Sequence, residues 1–170
     1  ICKRTPGHAY EAMECIGGMG VMEDGIMPRL YREGPINSIW EGSGNVQCLD
    51  MLRAMHKTPG ALDTFMGEVE RVRGMHPQMD QAIADLRAEI AITDGLEYRA
   101  RRAVEKMALA LQGASLLQFG NAGVAEAFCR ARLGSANDGW VYGTLPEGID
   151  CAALIERATP LLGGPLKVDI

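Results

Sequence analysis

The residues best suited to chemistry lie in the segment 29–45, RLYREGPINSIWEGSGN. Glu41 follows Trp40 and precedes the Gly42-Ser43-Gly44 turn, next to a predicted helix start. A carboxylate on an irregular loop beside an apolar ring is partly shielded from water, which makes it a better proton acceptor. The segment therefore contains a candidate general base. The alternative, an ordinary solvated loop glutamate, is the commoner case when residue types alone are considered.

A second candidate site is the glycine-rich stretch that follows the first predicted helix. Gly17, Gly18 and Gly20 stand close together there. Glycines at a helix end permit positive φ and let a ligand approach backbone amides closely. The alternative is local, because glycine also ends many helices that bind nothing.

Basic residues form a third candidate. Arg99, Arg102 and Lys106 recur at i, i+3 and i+7, so they share one face of a predicted helix. Such a face suits phosphate groups and predicts a possible contact with DNA. The formal net charge of −5 opposes nucleic acid binding. Glu97 and Glu105 also interrupt the run, so a solvated helix face is favoured over a DNA site.

The elements that must position these residues are predicted to be helices. Apolar residues make up 47% of the 170-residue chain and aromatic residues 5%, and the abundant Ala, Leu and Met favour helix over strand. Helices are predicted over 5–16 and 28–32, with an irregular segment at 36–44. Ser43 is expected to cap the next helix, whose apolar face is formed by Val46, Leu49, Leu52 and Met55.

Beyond the break at 58–60, the apolar spacing predicts further helices. One carries Leu62, Phe65, Met66, Val69 and Val72, and another starts at His76-Pro77. Asp94 is expected to cap the longest helix, which extends to about Phe119 and is buried on several sides in its second half. Helices 122–133 and 150–162 follow, on either side of a polar loop. About seven helices with short connections predict an all-α helical bundle.

Several protein classes are disfavoured. No apolar run approaches the roughly 20 residues that cross a bilayer, so no membrane association is expected. The five cysteines lack C-x-x-C spacing and a histidine pair, so neither a disulfide framework nor a metal site is predicted. Position 1 is Ile rather than Met, with no apolar leader behind it. The chain is therefore expected to be a cytoplasmic fragment of a larger protein.

Three motifs in order give a more specific reading than any one alone. EAMECIGGMG, PRLYRE and NSIWEGSGN together resemble the C-terminal helical domain of the acyl-CoA dehydrogenase family, and they are most similar to its AidB-like (adaptive alkylation response) branch. The resemblance is dense from about residue 2 to 55 and thinner beyond. It implies two parts, the end of that domain at 1–57 and an additional C-terminal helical extension at 58–170 packed on it.

The resemblance also implies roles for individual residues. Glu41 matches the family's usual base, which removes the α-proton of an acyl-CoA thioester. Trp40 stands where an aromatic ring often lines the acyl cavity. The positions that match flavin contacts in the family are Gly17, Gly18, Gly20, Ser43 and Asn45. Glu14 departs from the family, which usually has glutamine there.

The function implied is that of an oxidoreductase in fatty acid metabolism. The flavoprotein would hold FAD largely with domains that this chain lacks, so the piece alone is expected to be inactive and to bind FAD weakly or not at all. The family also implies a dimer or tetramer, whereas the resemblance identifies no electron acceptor. Two alternatives are an AidB-like DNA-binding, protective domain and an oligomerisation module.

Overall fold

The structure, a computed structural model, describes residues 1–134 and 142–160. Over these ranges the chain forms eight α-helices, joined by turns and short 3-10 segments, and no strand. The helices are α1 Thr5–Ile16, α2 Met27–Glu33, α3 Gly44–Lys57, α4 Ala61–Glu70, α5 Pro77–Ala91, α6 Ala100–Phe119, α7 Ala122–Arg132 and α8 Cys151–Ala158. The predicted all-α class is confirmed.

The 3-10 segments lie at Gly17–Val21, Gly34–Ser38 and Leu96–Arg99. The first two pack with α1 and α2, and they form an N-terminal group of short elements. Proline lies in the first turn of both α1 and α2, where its missing N–H costs no hydrogen bond. Gly17 ends α1 with a φ of 73°.

The hydrophobic core lies in the second part of the chain. It is built from α4, α5, α6 and α7, and its fully buried side chains include Val69, Met79, Ile83 and Leu86. α6 is the central helix, because α3, α4, α5 and α7 all pack against it. The main core of the described residues thus lies between Met66 and Leu133, and α3 covers one side of it.

Side-chain caps fix several helix starts. His76 caps α5 by accepting the Gln78 N–H at Nδ1, and Asn121 caps α7 by accepting the Val124 N–H. Asp150 caps α8 in the same way, with the Ala153 N–H 3.0 Å away. These bonds use backbone donors that have no partner within the helix. The helix starts predicted at 76–77, 121–122 and 150 are confirmed.

The predicted irregular segment 36–44 is largely confirmed, because residues 39–43 are turn and loop and only 36–38 belong to the 3-10 segment Gly34–Ser38. Two predicted helix boundaries were wrong. The longest α-helix starts at Ala100 instead of following a cap at Asp94. Gly95 adopts a left-handed conformation and leads into a 3-10 turn first. The last helix ends at Ala158 and not at the predicted 162, because residues 159 and 160 are not helical; residues 161 and 162 lie outside the described residues.

The predicted apolar face of α3 was only partly right. Met55 packs against the core and Leu52 is half-buried, as predicted, whereas Val46 and Leu49 are exposed. Cys48 is buried in their place, and Met51 also packs against the core. The spacing of apolar residues on α3 is compatible with two apolar stripes, and packing against α6 buries the stripe that contains Cys48. The second half of α6 is buried at Ala110 and Ala114, although Leu111 and Phe119 are exposed.

Candidate functional site

Glu41 lies in the turn that joins the 3-10 segment Gly34–Ser38 to α3. Its side chain and that of Trp40 are exposed, with 66% of Trp40 accessible. The backbone carbonyl of Glu41 accepts a hydrogen bond from Gln47 Nε2 at 2.6 Å. Gly42 completes the turn with a φ of 112°, which residues with a Cβ rarely adopt. The backbone that presents Glu41 is therefore attached to the first turn of α3.

Gln47 is a residue that the sequence analysis missed. Its side chain folds back over the turn, and its Nε2 lies 3.0 Å from the position that a Cβ on Gly42 would occupy. A larger residue at 42 would crowd this amide. The signal in the sequence was the spacing of six residues from Glu41, which is weak without the turn geometry.

The three predicted flavin-binding glycines have different surroundings. A Cβ on Gly20 would lie 2.5 Å from the backbone carbonyl oxygen of Met13, so Gly20 is required by packing against α1. A Cβ on Gly18 would meet nothing within 4 Å, and the φ of Gly18 is not in the left-handed region. Gly17 also faces open space but has a positive φ. Within the described chain, Gly18 alone of the three lacks an internal reason to be glycine.

Both predicted site segments pack on the same helix. Gly20 packs against Met13 near the end of α1, and Gly34 approaches Pro6 near its start. Met13 follows Pro6 by seven positions, which corresponds to about 10 Å along an α-helix. Arg32 of α2 donates two hydrogen bonds to Glu23, at 2.6 and 3.1 Å, and so ties α2 to the loop after the glycines.

Ser43 and Asn45 flank the N-terminus of α3. Ser43 occupies the N-cap position, but its hydroxyl makes no capping hydrogen bond. Asn45 is exposed, and its Oδ1 accepts a hydrogen bond from Arg101 of α6. The first turn of α3 is therefore open on one side and held by α6 on the other.

Exposed apolar side chains surround these segments. Most of the large ones in the described chain belong to the N-terminal group of elements and α3: Tyr10, Ile16, Met19, Val21, Met22, Ile26, Leu30, Tyr31, Ile36, Ile39, Trp40, Val46 and Leu49. Large exposed apolar areas mark surfaces that contact another body. We call this set the apolar face.

The basic residues proposed to contact DNA are engaged within the fold. Arg99, Arg102 and Lys106 all pair with Glu89 of α5, at 3.1, 3.1 and 3.6 Å. Burial favours the protonated form of Glu89, but the hydrogen bond from Arg102 and the three positive charges outweigh it. The pKa of this carboxyl is therefore lowered. Arg99 also donates to the backbone carbonyls of Ile92 and Asp94, in the loop that follows α5. This arrangement joins α5 to α6. The three basic residues therefore have a structural role, whereas the sequence analysis favoured a solvated helix face.

Other features lie away from the predicted site. A cavity of about 350 Å³ between α7 and α8 is lined by none of the predicted site residues. Residues 1–134 and 142–160 contain no group of three potential metal ligands. They also contain no helix long and apolar enough to cross a bilayer. The cysteines within these ranges are unpaired, and burial raises the pKa of the Cys129 thiol to about 11.

Comparison with known proteins identifies the class that this arrangement resembles. Residues 7–56 match the family described as acyl-CoA dehydrogenase, C-terminal domain. The match contains the glycine turn, Glu41 and most of α3. This part of the chain is therefore similar to the helical C-terminal domain of acyl-CoA dehydrogenases.

Individual relatives extend the similarity beyond the matched domain. The chain is 38% identical over 133 residues to "Putative acyl-CoA dehydrogenase AidB" of Escherichia coli (strain K12), which covers 78% of the chain and 24% of that protein. It is 33% identical over 103 residues to acyl-CoA dehydrogenase family member 11 of Caenorhabditis elegans, covering 61% of the chain and 16% of that protein. The chain thus spans about a quarter or less of the length of these relatives. The predicted resemblance to the family and to AidB is confirmed.

Proposed function

We propose that this chain is the C-terminal part of an FAD-dependent acyl-CoA dehydrogenase and that Glu41 is its catalytic base. The full-length protein would oxidise the α,β carbon–carbon bond of an acyl-CoA thioester. The similarity to the family and the exposed turn that carries Glu41 support this proposal. The chain alone is proposed to be inactive, because the matched segments make up only 24% and 16% of the two relatives.

The environment of Glu41 suits a base that becomes shielded on assembly. Its side chain extends from a turn whose backbone is hydrogen-bonded to Gln47, so its position is constrained although it is exposed. Trp40 and Ile39 beside it are large, apolar and exposed. Covering these side chains with another domain and an acyl chain would remove water from the carboxylate. Removal of water makes a carboxylate a stronger proton acceptor.

The glycine turn suits the flavin nucleotide. Gly18 has open space where a Cβ would be, so an extended anion can approach its backbone closely. Gly17 and Gly20 give the turn its shape. Ser43 and Asn45 present a hydroxyl and an amide at the start of α3, where backbone N–H groups favour negative charge. These residues fit the diphosphate and nucleotide part of FAD.

Trp40 and Glu41 would have separate roles in the reaction. Trp40 would line the acyl cavity and place the α-carbon near Glu41. The Glu41 carboxylate would remove the α-proton and become a neutral carboxylic acid. When bound, the flavin supplies the two-electron acceptor for the β-hydrogen, which leaves as hydride. The released proton would then pass from Glu41 to solvent once product has left.

The substitution Glu41→Gln in the full-length protein tests this assignment. Glutamine has nearly the same shape but cannot accept the proton, so acyl-CoA should no longer bleach the flavin. FAD content should stay at the wild-type level, because Glu41 is not proposed to hold the cofactor. Gln47→Ala provides a graded comparison, since it frees the backbone of Glu41 without removing the carboxylate. Wild-type rates of flavin reduction in Glu41→Gln would place the base elsewhere.

The apolar face favours a second role in assembly. Its residues belong to the same elements as the proposed site, and a protein that left them in water would tend to associate. We propose that this face contacts the other domains and a second subunit in a dimer or tetramer. Light scattering on the full-length protein with Ile26→Lys and Leu30→Lys should show a smaller assembly than the wild type. An unchanged mass would exclude this part of the face from the subunit contact.

A further inference from the structure

A single arginine of the C-terminal extension reaches the proposed flavin site. Arg101 lies in the first turn of α6, outside the region 7–56 that matches the family domain. It donates from Nε to Oδ1 of Asn45, a residue 56 positions earlier in the chain. Its Nη2 also lies 3.4 Å from the position that a Cβ on Gly44 would occupy. The extension thereby contacts the same turn of α3 that follows the proposed base.

Ion pairing and helix electrostatics do not explain why Arg101 lies at the start of α3. Arg101 forms no ion pair with the residues that the structure describes, whereas Arg99 and Arg102 beside it both bind Glu89. The positive end of the α3 dipole is a poor environment for a cation, with a typical cost of several tenths of a kcal/mol. The stem of Lys3 is close to the same point, with its Cε 2.8 Å from the built Cβ of Gly44. Two basic side chains thus approach a helix end that attracts anions.

The hydrogen bond also determines how Asn45 is oriented. A guanidinium group can only donate, so the amide oxygen of Asn45 must face Arg101. The Nδ2 group, with its two N–H donors, is then turned away from Arg101. The side chain of Asn45 is exposed on α3, so these donors are accessible. An amide held in this way offers donors and not its acceptor to an incoming ligand.

We propose that Arg101 is a positioning residue for the cofactor, which orients Asn45 so that its Nδ2 donates to an oxygen of the flavin nucleotide. This inference depends on the proposed function, in which Asn45 contacts FAD. It assigns to the extension a part in cofactor binding. Loss of Arg101 leaves the amide free to rotate and present its oxygen, which repels a phosphate oxygen.

The test uses the full-length protein and measures the dissociation constant of FAD by quenching of flavin fluorescence. Arg101→Met should weaken FAD binding about fivefold to twentyfold, which corresponds to about 1–2 kcal/mol, the size of one hydrogen bond. Arg101→Lys should recover part of the affinity because it still donates. Arg102→Met, one residue away on the same helix with the same loss of charge, should stay within about twofold of wild type. If Arg102→Met weakens FAD binding as much as Arg101→Met does, the effect comes from the general loss of positive charge, and the proposal is overturned.

A second substitution separates cofactor positioning from support of the fold. In Asn45→Asp the carboxylate keeps the bond to Arg101 and makes it an ion pair, so melting temperature should be unchanged or higher. The donor to FAD is lost, so affinity should fall at least as far as in Arg101→Met. Asn45→Asp with wild-type affinity would overturn the proposal, and this readout remains if Arg101→Met fails to fold.

The outcomes also distinguish this inference from the proposed function. If the wild-type protein binds FAD and Gly18→Ala weakens binding, the flavin site is supported. Unchanged affinity in both Arg101→Met and Asn45→Asp would then overturn the inference and the contact assigned to Asn45, whereas the proposed roles of Gly18 and Glu41 would stand. If the double variant Arg101→Met with Asn45→Ala is no weaker than the worse single variant, the two residues act through one contact, as proposed. Fully additive losses would contradict it.

Discussion

The glycine turn allows ligand binding to be separated from folding with a pair of matched substitutions. Gly18→Ala places a methyl group in open space at a φ that alanine adopts freely. Gly20→Ala places the same methyl group 2.5 Å from the carbonyl oxygen of Met13. The two positions lie in one 3-10 segment, so the substitutions share chemistry and location. Any difference between them reports the surroundings of each glycine.

The expected magnitudes follow from these contacts. An ordinary carbon–oxygen contact is about 3.4 Å, so the Gly20 methyl group would force backbone to move by nearly 1 Å. Overpacking of this kind costs about 1–3 kcal/mol. For a chain of this size that lowers the melting temperature by roughly 2–4 °C per kcal/mol. Gly18→Ala should leave the melting temperature unchanged or raise it slightly, because alanine restricts the unfolded chain.

Gly18→Ala should weaken flavin binding although it leaves the stability of the fold intact. In the full-length protein the added methyl group would stand between the backbone and the diphosphate of FAD, and we expect affinity to fall by about tenfold or more, or roughly 1.4 kcal/mol. The assays are thermal unfolding followed by circular dichroism and titration of apoprotein with FAD. Gly18→Ala with full affinity and full stability would refute the assignment of this glycine to the cofactor. A Gly20→Ala variant as stable as wild type would refute the packing argument.

Three further predictions concern the helical core. Glu89→Gln should lower the free energy of unfolding by about 2 kcal/mol, because three cations lose their common partner, and urea unfolding measures this. The hydrogen bond from Arg73, opposed by burial but aided by Arg87, lowers the pKa of Glu70 from 4.5 to about 2. The stability due to Glu70 is therefore present above pH 4.5 and lost as the pH falls toward 2. Over that window the free energies of unfolding of the wild type and Glu70→Gln should converge by about 1 kcal/mol. Parallel pH profiles of the two proteins would contradict this. Gly113→Val should cost about 2 kcal/mol, since even a Cβ there would lie 2.9 Å from the Leu133 side chain, and unchanged thermal unfolding would contradict this.

Much of the bundle could be predicted because its signals are local. The spacing of apolar residues located α4 and α5, and their buried positions at Val69 and Ile83 agree with that spacing. Capping side chains and glycines marked helix ends for the same reason, since each acts within a few residues. The motifs around Gly18 and Glu41 were equally visible, because the chemistry they suggest depends on short segments.

What the sequence could not reveal depends on contacts between distant segments. α3 could expose either of two apolar stripes, and only its packing on α6 decides that Cys48 turns inward and Leu49 outward. Arg99, Arg102 and Lys106 looked like a basic face, because nothing in their spacing shows that Glu89 of another helix lies among them. The bond between Arg101 and Asn45 was hidden for the same reason.

The most direct measurement of the central claim is exchange of the α-hydrogen of an acyl-CoA with solvent deuterium. A thioester that lacks a transferable β-hydrogen isolates proton removal from oxidation. In heavy water, the full-length wild-type protein should exchange the α-hydrogen, as followed by nuclear magnetic resonance, and Glu41→Gln should not, with FAD bound equally in both. Exchange at the same rate in Glu41→Gln would show that another group removes the proton.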